Sequence, residues 1–154
     1  DYDAQVGFLL SVRDKYNEVQ KGILRLRDIR SQLQELNGRM DSTEKPVRKL
    51  SDSLSRELTS IEEALYQTKS KSAQDMLNYP IRINDKLSGV YGIAAGGNAV
   101  PSKQVREVFE TLRAQADRQL ARLQQVIQSG LPALNKLIYE KQIPVIGVKE
   151  KEQN

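Results

Sequence analysis

Glu57, Glu62 and Glu63 place three carboxylates in one short stretch. Carboxylate oxygens are the donors that a hard metal ion uses, and paired carboxyls carry general acid–base chemistry. Catalytic metal sites usually add imidazole or thiolate, and this chain has no His and no Cys. Glu62 and Glu63, being adjacent, diverge around a helix rather than converge. The spacing therefore predicts a solvated helix face. Gly96-Gly97-Asn98 is the other candidate, as a phosphate cradle. It follows a helical pattern instead of a strand and lacks the Lys-Ser/Thr ending, so it reads as a turn. There is no nucleophile elbow and no zinc-binding helix. No catalytic residue, cofactor or metal is assigned, and the fragment is expected not to be an enzyme.

The elements around these residues are helical. From Tyr2 to Met40 the apolar seam runs Leu9, Val12, Tyr16, Val19, Ile23 and Leu26, in steps of three and four. It resumes as Ile29, Leu33, Leu36 and Met40, one step out of register. That slip rotates the buried stripe and favours a bundle over a uniform coiled coil. The helix is expected to end between Asn37 and Asp41, with Gly38 as a left-handed cap. Asp41 to Glu44 has capping-box spacing, and Pro46 suits a first turn. A second helix then buries Val47, Leu50, Leu54, Leu58, Ile61 and Leu65, antiparallel to the first across a short connection. A long last helix, N-capped by Ser102, buries Val105, Phe109, Leu112, Ala116, Leu120, Leu123 and Ile127. The phase continues through Leu131, Leu134 and Ile138, but Pro132 predicts a kink or break at 129–132. Residues 1–142 form the bundle domain in this reading, and 143–154 an extended, partly apolar tail.

Composition is consistent with that. With 154 residues, 38% hydrophobic and 29% charged, the chain can bury one core behind a charged surface. Basic and acidic residues alternate along every segment, so the net charge of +4 predicts a solvated surface rather than a nucleic-acid patch. No run reaches the length of a membrane span. The start at Asp1, without Met or a signal-peptide pattern, predicts a processed chain or an excised piece of a longer protein.

Between the hairpins the pattern breaks. Ser72 to Asp75 has capping-box spacing and should begin a short extra turn ending near Asn78. Tyr79 before Pro80 is pushed to extended geometry, and Pro80 can open a third helix over about 81–95. Ser72, Gln74, Asp75, Asn78, Tyr79 and Pro80 are assigned as a structural turn, because such side chains satisfy local backbone. Within the third helix, Gly89 and Gly92 each cost about 1 kcal/mol against alanine. Close packing of another helix is the expected reason, with a ligand cleft there as the alternative. The fold class is thus all-α: an antiparallel bundle of four main helices, a short extra turn, and a kinked or broken last helix.

One string is more specific than any heptad. Thr68, Lys69, Lys71, Ser72, Gln74, Asp75, Leu77, Asn78, Tyr79 and Pro80 fit T-K-x-K-S-x-Q-D-x-L-N-[FY]-P. Asn84, Lys86 and Leu87 follow, then Pro101, Ser102 and Gln104 opening a helix. This resembles the C-terminal segment of a family of large bacterial exported proteins that carry sortilin-type or sialidase-like repeat β-propellers and are labelled glycosyl hydrolases. The likeness spans about residues 65–123. It implies a helical C-terminal appendage, extracytoplasmic, whose sugar- or peptide-acting parts lie upstream in the propellers. No catalytic residue of that family falls on this chain. The expected function is a non-catalytic packing or interaction domain that docks on the rest of its polypeptide or on a protein partner, with no nucleic acid and no membrane span. The alternatives are a ligand-binding or enzymatic groove by Gly89 and Gly92, or a self-associating coiled coil.

Overall fold

A computed structural model describes residues 2–41, 44–66, 82–97 and 101–148. The described residues are helical without a strand: α1 (Tyr2–Arg39), α2 (Lys45–Leu65), α3 (Ile83–Gly96), α4 (Lys103–Gln125), a π-helical turn (Val126–Gly130) and α5 (Leu131–Glu140). The last three are one bent helix, so the chain forms the four-helix, all-α bundle that its periodicity predicts.

In space the four helices make three rods. α1, 38 residues long, is the spine and extends about 57 Å at 1.5 Å per residue. α2 runs back along its C-terminal half, pairing Asn37 with Asp52 and Arg27 with Glu62. α3 continues that direction along the N-terminal half, where Gln5 Nε2 donates to Gly97 O at 2.8 Å. α4 then runs parallel to α1. Phe8 meets Phe109 edge to face at 5.5 Å, Lys15 pairs with Asp117, and Gly22 faces Leu120 and Leu123.

The core is the seam read from the sequence. Val12, Val19, Ile23, Leu26, Ile29, Leu33, Leu36 and Met40 of the first rod are all buried. They meet Val47, Leu54, Leu58, Ile61 and Leu65 of α2, Leu87 and Val90 of α3, and Phe109, Leu112 and Leu123 of α4. Each such side chain, fully buried, contributes roughly 1.5–3 kcal/mol from water exclusion. Shared contact with α1 is what holds α2 and α3 in one line.

Three terminal details differ from expectation. Gly38 is helical and not left-handed; instead Arg48 Nη2 donates to the carbonyls of Asn37 and Met40, satisfying the end of α1 from α2. Glu44, not Asp41, is the N-cap of α2 and makes no side-chain cap bond, so the box spacing does not act as a box. α3 begins at Ile83, after an extended Arg82. Ser102 does cap α4, accepting from the Val105 N–H at 3.2 Å.

Pro132 bends the last helix without breaking it. In an α-helix its ring would press on the carbonyl four residues back and its missing N–H would orphan that acceptor. Here the preceding turn widens: the Leu131 N–H reaches Val126 O, five residues back. α5 then packs on α2, leaving a cavity of about 290 Å³ between its Leu131, Leu134 and Ile138 and the Ile29–Leu33–Leu36 edge of α1.

Candidate functional site

The three glutamates do not form a site, and Glu62 is not on a solvated face. It is 5% exposed, buried at the α1–α2 seam. Arg27 Nε donates to its Oε2 at 2.6 Å and Arg30 Nη1 to its Oε1 at 2.9 Å. Arg30 also reaches Thr59 Oγ1, and the Arg27 guanidinium lies 5.3 Å from the Tyr66 ring centroid. Burial alone would push the carboxyl up, and it is the largest single influence. The bonds and charges of Arg30 and Arg27 together outweigh it and hold Glu62 below its ordinary 4.5. Glu57 points elsewhere, to Arg122 Nε of α4 at 2.9 Å, while Arg122 Nη2 also holds Ser60. Glu63 is exposed. These carboxylates tie helices together. Among the described residues, no group of three or more His, Cys, Asp or Glu could hold a metal ion.

The signal for this was present in α1. Arg27 and Arg30 are one helical turn apart and share a face, so a carboxylate on the facing helix is their natural counter-ion. Scanning Glu57, Glu62 and Glu63 for partners on their own helix alone misses it. Lys15 plays the same part between α1 and α4. Burial works against its charge, but Asp117 and Glu18 more than compensate and raise it above 10.5.

Gly89 and Gly92 overturn the close-packing expectation. Both are exposed, and a Cβ built on either meets nothing within 4 Å. α3 buries Ile83, Asn84, Leu87, Val90 and Ala94, and the glycines fall off that stripe. The close approaches occur at two other glycines. A Cβ on Gly22 would stand 2.8 Å from Leu120 Cδ2, and one on Gly130 2.6 Å from Leu54 Cδ2. The proposed turn residues Ser72, Gln74, Asp75, Asn78, Tyr79 and Pro80 lie outside the described residues.

Two surface features remain. Between α1 and α3 lies an open concavity of about 330 Å³ lined by Arg13, Tyr16, Asn17, Ser88 and Tyr91. At the other end, Tyr139 is 83% exposed, and beyond the left-handed Gln142 the chain exposes Val145, Ile146 and Val148 by 78%, 87% and 92%. That strip is tethered rather than loose: Ile143 N–H donates to Ile138 O, and Arg39 Nη1 to Val145 O at 2.7 Å.

No family model, no curated protein and no solved structure matches this chain. No helix among the described residues is long and apolar enough to cross a membrane.

Proposed function

We propose that this chain is a non-catalytic helical interaction domain that docks, through its C-terminal apolar end, on the rest of its polypeptide or on a protein partner. The observation that carries this is the group Tyr139, Val145, Ile146 and Val148. Four large apolar or aromatic side chains are held in water within ten residues, on a strip pinned by two hydrogen bonds. Exposed apolar side chains scattered singly need no explanation; four of them within ten residues support the reading of an interaction surface. The ion pairs of Glu57, Glu62 and Lys15 support a non-catalytic role, since each charge is used to join two helices. The likeness of residues 65–123 to the appendage of exported β-propeller proteins supplies the setting: an extracytoplasmic C-terminal domain whose partner is the propeller portion upstream.

Hydrogen exchange tests it, comparing this domain alone with the whole polypeptide from which it comes. Amides 145–148, which lie beyond the hydrogen-bonded Ile143, should exchange quickly in the isolated domain and slowly in the longer protein. Equal exchange in both, with no added partner protecting the strip, overturns the docking proposal. The enzymatic alternative would place its site by Gly89 and Gly92, and no carboxylate lines the concavity there.

A further inference from the structure

We propose that the α1–α3 concavity is a binding site for a small, ring-bearing monocarboxylate. Its walls come from two antiparallel helices. Arg13, Tyr16 and Asn17 fall at three- and four-residue steps along α1, and Ser88 and Tyr91 at a three-residue step along α3. Each set therefore sits on one face of its helix. The volume, about 330 Å³, is that of a small-molecule site. The lining then narrows the chemistry. Arg13 is its one charged residue, so the ligand it favours is an anion, and cations and metals are disfavoured. A planar guanidinium matches a carboxylate with two parallel hydrogen bonds. A single cation, with no helix N-terminus or second basic group in the lining, suits one negative charge better than two. Tyr16 and Tyr91, one on each wall, offer aromatic faces for a flat ring, while Asn17 and Ser88 add hydrogen-bonding groups.

One further observation falls on the same face of α3 as Ser88 and Tyr91. One turn before Ser88, Asn84 is 4% exposed and its Oδ1 has no hydrogen-bond partner. The competing pair for Arg13 is weak: Asp14, its neighbour, lies at 3.3 Å with both side chains more than half exposed. A carboxylate in the concavity can displace it.

The experiment is an amide-resolved NMR titration of the intact chain with benzoate, benzamide and benzylamine. Benzoate should give saturable shifts confined to residues 13–17 and 88–92, benzamide weaker ones, and benzylamine none there. Arg13→Gln, at an exposed position, should fold normally and weaken benzoate binding by about tenfold or more. Tyr91→Ala should weaken benzoate and benzamide alike. Absence of saturable shifts, shifts spread over basic residues generally, or benzoate binding unchanged in Arg13→Gln would each overturn the proposal.

Discussion

Gly22 of α1 faces Leu120 of α4 so closely that a Cβ on the glycine would lie 2.8 Å from Leu120 Cδ2, and it also faces Leu123 at 3.6 Å. This is the close helix approach that glycine permits, and it occurs in the spine rather than in α3. The contrast gives a paired prediction. Gly22→Val should destabilise the fold by about 1–3 kcal/mol, because the added branches must displace packed leucines. Gly89→Ala and Gly92→Ala, in open space, should each stabilise by up to about 1 kcal/mol through helix propensity. Chemical denaturation of the three variants checks both signs at once. Gly22→Val as stable as the parent would remove the packing role assigned here.

Why the glycines of α3 misled is visible in the sequence itself. Ile83, Leu87, Val90 and Ala94 recur at steps of four, three and four, and that stripe is the buried one. At about 100° per residue, Gly92 falls nearly opposite to it. A cost in helix propensity says that a glycine needs a reason, but the reason need not lie inside the fold. By contrast the long rods were legible, because the seams of α1, α2 and α4 repeat over many turns and burial follows period. Glu62 was legible only in part: Arg27 and Arg30 on one face of α1 call for a counter-ion, but nothing in α2 alone singles out Glu62. Its environment is set by Arg27 and Arg30, more than thirty positions away, and only the pairing of α1 with α2 brings them together. The bend at Pro132 was predictable; that it would be absorbed by a π turn depends on how α5 settles on α2.

Among the described residues, Ser102 is the one helix start at which the expected side chain does the expected work. Its Oγ satisfies the Val105 N–H, one of the donors left open at the first turn of α4. Ser102→Ala should therefore cost about 1 kcal/mol, and Ser102→Asp should restore most of it, since an anion also suits the positive end of the helix. Thermal melts of the two variants provide the comparison. If alanine and aspartate behave identically, capping is not what Ser102 contributes.

Lys15 joins α1 to α4 through Asp117 and to its own helix through Glu18. Its pKa is raised above the usual 10.5, so the sign follows directly. The stabilisation is fully present below the unfolded-state value and is lost as pH climbs through the higher folded-state value. Lys15→Met keeps much of the apolar stem and removes the charge. The variant should be less stable at neutral pH, and the gap to the parent should close in strongly alkaline solution. A gap independent of pH would mean that packing of the stem, not the ion pair, accounts for the loss.

Glu62 gives the opposite dependence. Its carboxylate is buried, accepts from Arg27 and Arg30, and is held below the ordinary 4.5. A depressed folded-state pKa means that the stabilisation is present above the unfolded-state value and is lost as pH falls through the lower one. Stability of the parent should thus begin to decline below about pH 4.5. Glu62→Gln keeps the shape and can still accept from one arginine, but it removes the charge that both guanidiniums face. Hydrogen bonds between charged groups contribute about 1.5–3 kcal/mol each. Arg27 and Arg30 remain partly open to water, at 42% and 22% side-chain exposure, so the total loss should fall near the size of one such bond rather than two. The variant should also lack the share of the acid decline that Glu62 supplies. Urea titrations of parent and Glu62→Gln at pH 7 and pH 3 decide it: the difference between them must shrink markedly at pH 3. A difference of equal size at both pH values would show that Glu62 stabilises by shape and not by charge.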